Sequence, residues 1–243
     1  IPAPDQYDFR ARGSTILGPL TATGAIDTRP GQIRYMLRDI ELAGVKASGV
    51  LTPTDGVPVT GTLAISGSGV DGTARFSEVD DNQRIVIAAG AKAASFDLDP
   101  SVGIRRGSVL ANLLITPDGN RTDGRFDLAG LRFGALTLSS AQGKFDLAEG
   151  GGRISGKVEG RRGTSFALNM NAEMANDRIS VLADGDVGGA PISLESPARI
   201  TRTDGGGWSL APVTLDLPRG DATIEGSLNG EAVLNATFRR AGL

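Results

Sequence analysis

Apolar and polar residues alternate along most of this 243-residue chain, and a period of two is the pattern of a β-strand with one buried face. From Ser165 to Glu173, Phe166, Leu168, Met170 and Ala172 fall on one side, and Ala167, Asn169, Asn171 and Glu173 on the other. Phe145 and Leu147 alternate with Lys144 and Asp146 in the same way. Ala222, Ile224, Gly226 and Leu228 alternate with Thr223, Glu225 and Ser227, and Ala232, Leu234, Ala236 and Phe238 follow. Turn-forming clusters separate these runs: Pro117-Asp118-Gly119-Asn120, Glu149-Gly150-Gly151-Gly152, Asp204-Gly205-Gly206-Gly207 and Pro218-Arg219-Gly220-Asp221. Each offers Gly for positive φ or Pro for a preset φ. The chain therefore reads as all-β, a long antiparallel meander of short strands.

One segment supports two readings. Between Pro30 and Gly44, Ile33, Met36, Leu37 and Ile40 have helical spacing, with Pro near the start and Gly at the end. Ile33, Tyr35 and Leu37 also fit one face of a strand, and strand-like flanks favour that assignment.

With 35 Gly and only 5% aromatic residues, a sheet built from this chain has a thin core of small side chains. The net charge is −3, with both signs dispersed. Phosphate recognition needs clustered Lys and Arg, so nucleic acid is disfavoured as a partner. The chain has no Cys and no His. Disulfides, Ser-His-Asp and Cys-His catalysis, and zinc sites of the His or Cys type are therefore impossible. We expect no enzyme, no cofactor and no metal. Two Tyr and one Trp are too few for the aromatic girdles of an outer-membrane barrel.

Several short motifs lose their meaning in context. Gly67-Ser68-Gly69-Val70-Asp71-Gly72 spells the dinucleotide fingerprint, but a strand pattern follows where a helix N-terminus is required. Asp118, Asn120 and Asp123 fit a hairpin better than a calcium loop. Glu78, Asp80 and Asp81 lie in a polar stretch with no apolar pocket to raise a carboxyl pKa. Arg219-Gly220-Asp221 is explained as a turn. Asn120-Arg121-Thr122 and Asn235-Ala236-Thr237 are glycosylation sequons in spelling alone. Trp208, the only Trp, reads as a strand anchor.

Phe-Asp-Leu-Ala occurs at 126–129 and again at 145–148, with Phe96-Asp97-Leu98-Asp99 as a weaker third copy. Such recurrence points to a sheet that grows by adding similar strands. Together with Gly156-Lys157-Val158-Glu159-Gly160, Pro191 to Arg202, and the order Trp208, Leu210-Ala211-Pro212, Leu215, Leu217-Pro218, Gly220, Gly226, it resembles repeats of the TamB/AsmA-like superfamily of Gram-negative envelope proteins, including their YdbH-type relatives. The likeness is clearest in the second half of the chain. It implies an elongated, taco-like groove with an apolar interior, in a periplasmic region of a parent protein anchored to the inner membrane. It also implies phospholipid as cargo between inner and outer membranes, and an outer-membrane barrel assembly protein as a partner. On this reading residues 1–243 are a single repeat-built β domain, an internal fragment of a longer envelope protein.

The physics of a one-sided sheet leads the same way. Its apolar face must be covered, and no amphipathic helix is evident to cover it. A trough that does not close suits acyl chains, at roughly 25 cal/mol per Å² removed from water. The expected lining is Phe133, Leu136, Leu138, Phe145, Leu147, Phe166, Leu168, Met170, Ile179, Val181, Ile192, Leu194, Leu215, Leu217, Ile224 and Leu228. The competing expectation is a structural or assembly module that offers a strand edge to another protein and aids outer-membrane protein insertion.

Overall fold

A computed structural model describes residues 5–15, 18–31, 33–96, 101–133, 136–203, 207–229 and 231–240. These residues form eighteen strands in an antiparallel meander, with no helix among them. Contacts divide the chain into two compact units, Ile1–Thr137 and Leu138–Leu243.

The first unit begins with β1 (Gln6–Thr15), β2 (Gly18–Asp27), β3 (Arg34–Leu42), β4 (Val45–Thr52), β5 (Thr60–Gly67) and β6 (Val70–Val79). Three longer strands follow, β7 (Asn82–Phe96), β8 (Val102–Thr116) and β9 (Gly119–Phe133), each of 15 residues. Each pairs with the next in sequence. The hairpins are tight because both central residues take positive φ at Ala43-Gly44, Ser68-Gly69 and Asp80-Asp81, as a two-residue turn matched to strand twist requires. The dinucleotide-like motif is thus the β5–β6 hairpin, and the Asp80-Asp81 pair is itself a turn.

The segment with two readings is strand β3, and a bulge explains its helical spacing. The β3–β4 register shifts between Leu37 and Ile40. One extra residue puts two apolar side chains three positions apart on the same face. Ile33 lies just before the strand and is exposed, so Tyr35, Leu37 and Ile40 form that face without it. The core of this unit is Leu51, Leu63 and Ala74, packed by Tyr35, Leu37, Ile40, Ala47, Val59, Ile65, Phe76 and Ile87.

In the second unit, β10 (Leu136–Ala148), β11 (Gly151–Arg162), β12 (Thr164–Ala175) and β13 (Arg178–Val187) lead to two short strands, β14 (Ala190–Leu194) and β15 (Ala198–Arg202). Both short strands pair with β13 on one side and with β16 (Trp208–Leu217) on the other. They are one strand interrupted at residues 195–197, where Pro197 has no N–H to give the ladder. β17 (Gly220–Asn229) and β18 (Glu231–Arg240) complete the unit. The turn clusters expected at 117–120, 149–152 and 218–221 fall at strand junctions, their first two residues between strands and their last two opening β9, β11 and β17. Of the fourth, Asp204–Gly207, residues 204–206 lie outside the described residues.

Candidate apolar binding surface

The pairing registers of the second unit sort its side chains onto two faces. In one row across the strands, Ile154 faces Ala172, Ala172 faces Val181, and Val181 faces Ala198. In the next, Gly156 faces Met170, and Met170 faces Ala183. A third runs Val158, Leu168, Gly185, Ile192. Leu194 meets Leu215, and Leu215 meets Ala222. Val213 meets Ile224, and Ile179 meets Ile200. Between the strand ends of β11 to β17, no Asp, Glu, Lys or Arg occupies this face among the described residues. Charged and amide groups are on the opposite face. There Arg153 pairs with Glu173 at 3.1 Å, and Asn169 donates to Asp184 at 3.0 Å.

The structure therefore brings Phe166, Leu168, Met170, Ile179, Val181, Ile192, Leu194, Leu215, Leu217 and Ile224 onto one face. All ten are half-buried. Leu138, Phe145 and Leu147 belong to β10. Leu138 and Ala141 are both buried, so the alternation slips by one residue between them, and Phe145 and Leu147 keep the inward phase. The side chains of Phe133, Leu136 and Leu228 lie outside the described residues. Trp208 opens β16 opposite Leu228 and Arg202. Pro212, in the resemblance motif, sits where the β16–β17 register shifts between Leu210 and Val213, a position that tolerates a missing N–H.

Glycines lie opposite leucines within each unit. Leu63 lies opposite Gly49 and Leu51 opposite Gly61. A Cβ on Gly61 would sit 2.3 Å from the Val50 carbonyl oxygen and 3.0 Å from Leu51 Cδ2. Leu128 covers Gly107, and Leu147 covers Gly152, in the same manner. The two Phe-Asp-Leu-Ala copies thus place their leucines alike, each over a glycine of a neighbouring strand. Bulky side chains directly opposite each other stand only about 5 Å apart at Cβ, so alternating Leu with Gly lets strands close up on that side. The small residues do not simply leave empty room, because leucines fill much of it.

Two clefts, neither anticipated from sequence, open at opposite strand ends of the first unit. One, of about 430 Å³, is lined by Pro58, Val59, Phe76, Gln83, Ile85 and Ile115 among others. Buried Gln83 accepts from Val59 N at 3.1 Å and donates to the Ser77 carbonyl at 3.1 Å. It ties the 53–59 loop to β6. The other, of about 480 Å³, involves Leu20, Ile40, Leu42, Val45, Ile65, Phe96 and Val102, and Lys46, opposite Glu41 in the register, belongs to the other face of the sheet. Lys46 Nζ lies 3.3 Å from Asp39 and 3.6 Å from Glu41. The hydrogen bond to Asp39 holds the ammonium pKa above its ordinary value. The sequence signal for these clefts is weak. Their walls come from strands far apart in the chain, and none contributes more than three residues.

Compared with known protein families, curated proteins and solved structures, the chain matches none. Of the residues that suggested a metal loop, Asp123 is held by a neighbouring strand. Asp123 accepts from Asn112 at 2.9 Å, and Asn112 accepts from Arg84 at 2.7 Å, a ladder across β7, β8 and β9. No group of three or more metal-ligating side chains occurs among the described residues.

Proposed function

We propose that this chain is a periplasmic segment of a bridge-like lipid-transport protein, within a parent anchored to the inner membrane, and that its apolar β-surface carries phospholipid acyl chains between inner and outer membranes. The observation that carries the reading is the uncharged, half-buried face running from β11 to β17. Most of its side chains are half-buried, with Ala198, Val213 and Ala222 buried among them. The total accessible surface supports the same reading. It is 15588 Å², whereas two separate compact globules of half this mass would expose only about 12,000 Å². An acyl chain laid on such a face gains the transfer free energy of its own surface and of the wall it covers.

Val233 and Phe238 of β18, respectively 52% and 73% exposed, favour a second reading. On it, an apolar strand recruits another protein by edge pairing and aids outer-membrane protein insertion.

Mass spectrometry of organic extracts from the purified chain separates the two. One or more phospholipids per chain, reduced by Leu168→Glu without loss of strand content, is the expected result. A lipid-free chain that also fails to crosslink acyl photoprobes overturns the transport reading. Edge pairing is then tested by Val233→Pro, which removes a ladder donor.

A further inference from the structure

Most connections in the first unit are two residues long, but seven residues, 53–59, join β4 to β5. Strand pairing stops at Thr52 and Thr60, which face each other, and Thr60 Oγ1 donates to the Thr52 carbonyl at 3.4 Å. The two ends of this strap therefore meet, as in a compact Ω-type loop. Among the described residues, no backbone–backbone hydrogen bond holds 53–59 to the sheet. Val57 is nonetheless 3% exposed, while Thr54, Asp55, Gly56 and Pro58 around it are exposed. Its peptide groups are satisfied inside the strap. Thr54 Oγ1 donates to the Val57 carbonyl at 2.9 Å and accepts from Val57 N at 3.3 Å. The strap lies at the end of the apolar face. Phe76 pairs with Ile85 there, and the next row toward the strand ends is Glu78, Gln83, Ile115. Glu78 rests against Gly56, and Pro58 and Val59 share a cleft with Phe76, Gln83, Ile85 and Ile115.

We propose that the 53–59 strap is a hinged flap that closes this end of the apolar face and opens to admit a hydrocarbon chain. The Thr52–Thr60 pair is the hinge, Val57 is the side chain that holds the flap shut, and Gln83 is the latch. The division of hydrogen bonds supports this. The bonds between Thr54 and Val57 travel with the strap. Past the hinge, the bond from Val59 N to Gln83 Oε1 is the one hydrogen bond from strap to sheet among the described residues. Gln83 is itself fixed, because its amide donates to the Ser77 and Arg84 carbonyls. Opening thus breaks one hydrogen bond and exposes one buried apolar side chain, whereas parting β4 from β5 breaks a whole ladder. A segment with so few ties opens well below the free energy of global unfolding. Pro53 and Pro58 fix φ near each end of the strap, so it moves as one body. A hydrocarbon chain laid over Phe76, Ile85 and Ile115 competes with the strap for the same cleft wall, which links binding to opening.

The proposal deepens the lipid reading and takes its ligand from it, but opening is measured without lipid, so the two fail separately. The chain has no Cys, so a single introduced thiol reports its own exposure. In the full chain, Val57→Cys is expected to react with a soluble thiol reagent at least a hundredfold faster than Leu63→Cys, a β5 core position that is 5% exposed. Gln83→Leu raises the Val57→Cys rate at least fivefold and leaves the Leu63→Cys rate unchanged. Lysophosphatidylcholine below its micelle concentration raises the Val57→Cys rate at least threefold, again without moving Leu63→Cys. Should a cysteine variant fail to fold, hydrogen exchange of the Val59 amide in the unaltered chain, set against that of Leu63, follows the same opening. Equal rates at 57 and 63 mean that strap and sheet open together, and overturn the proposal. A Val57→Cys rate indifferent to Gln83→Leu or to the lysolipid overturns it too. A chain that co-purifies no phospholipid yet keeps the lysolipid response sinks the transport reading and leaves the flap standing.

Discussion

Gly61 stands where a side chain has no room. Its φ of 140° is one that L-residues rarely adopt, and a Cβ there meets the Val50 carbonyl oxygen at 2.3 Å. Gly61→Ala therefore combines backbone strain with overpacking against Leu51. We expect a loss of about 2 kcal/mol or more, measured as a lower urea midpoint. Gly13 has open space around the same position, and Gly13→Ala is expected to leave the midpoint within about 0.5 kcal/mol. Equal effects at the two sites would remove steric crowding as the cause. From sequence, the abundance of Gly reads first as turns and a thin core. Several glycines instead lie mid-strand and accept a Leu from the next strand. Nothing local distinguishes them, because the neighbour that needs the space is set by pairing register.

At the scale of elements, bulges decide which residues share a face. The register shift between Leu210 and Val213 keeps Trp208, Leu210, Val213, Leu215 and Leu217 on the apolar side despite an odd spacing. β16 spends three residues between the pairs at Leu210 and Val213 where β17 spends two, so deleting Ala211 leaves Leu210 and Val213 at the spacing of a regular strand. Leu215 and Leu217 should therefore stay on the apolar side. Retention of a cooperative unfolding transition, followed by Trp208 fluorescence, is the expected outcome. Loss of that transition would show that the bulge does more than accommodate one extra residue. Alternation made these strands legible, and Pro212 marks the bulge. The shift in β3 was harder to read, since an i, i+3 pair of apolar residues belongs equally to a helix turn and to a bulged strand. Strand length is the least legible feature. The 15-residue strands β7 to β9 contain Gly and Arg that look like breaks until pairing with both neighbours holds them extended.

For the molecule as a whole, accessible surface is the telling quantity. An unfolded chain of this mass exposes about 36,000 Å² and two separate compact globules of half this mass about 12,000 Å², against 15588 Å² here. Folding thus buries about a seventh less surface than it does in two such globules. Denaturant dependence scales with the surface exposed on unfolding. The summed urea m-value should accordingly fall about a seventh below that of two compact proteins of half this length. An m-value at or above the compact figure would mean that the apolar face is covered in solution, which argues against a lipid-carrying surface.

The sequence by itself determined the class of structure and the sidedness of its strands. Period-two alternation, turn clusters and the absence of His and Cys are local properties, and they need no knowledge of which strand meets which. Tertiary structure alone decided the rest. Pairing register set Gly49 against Leu63 and Gly61 against Leu51. Unequal strand lengths and the left-handed φ of 50° at Ala93 carried Phe96 and Val102 to Leu20 and Ile40. Those choices depend on contacts between residues tens of positions apart, and a cleft built from them has no signature in any one stretch of chain.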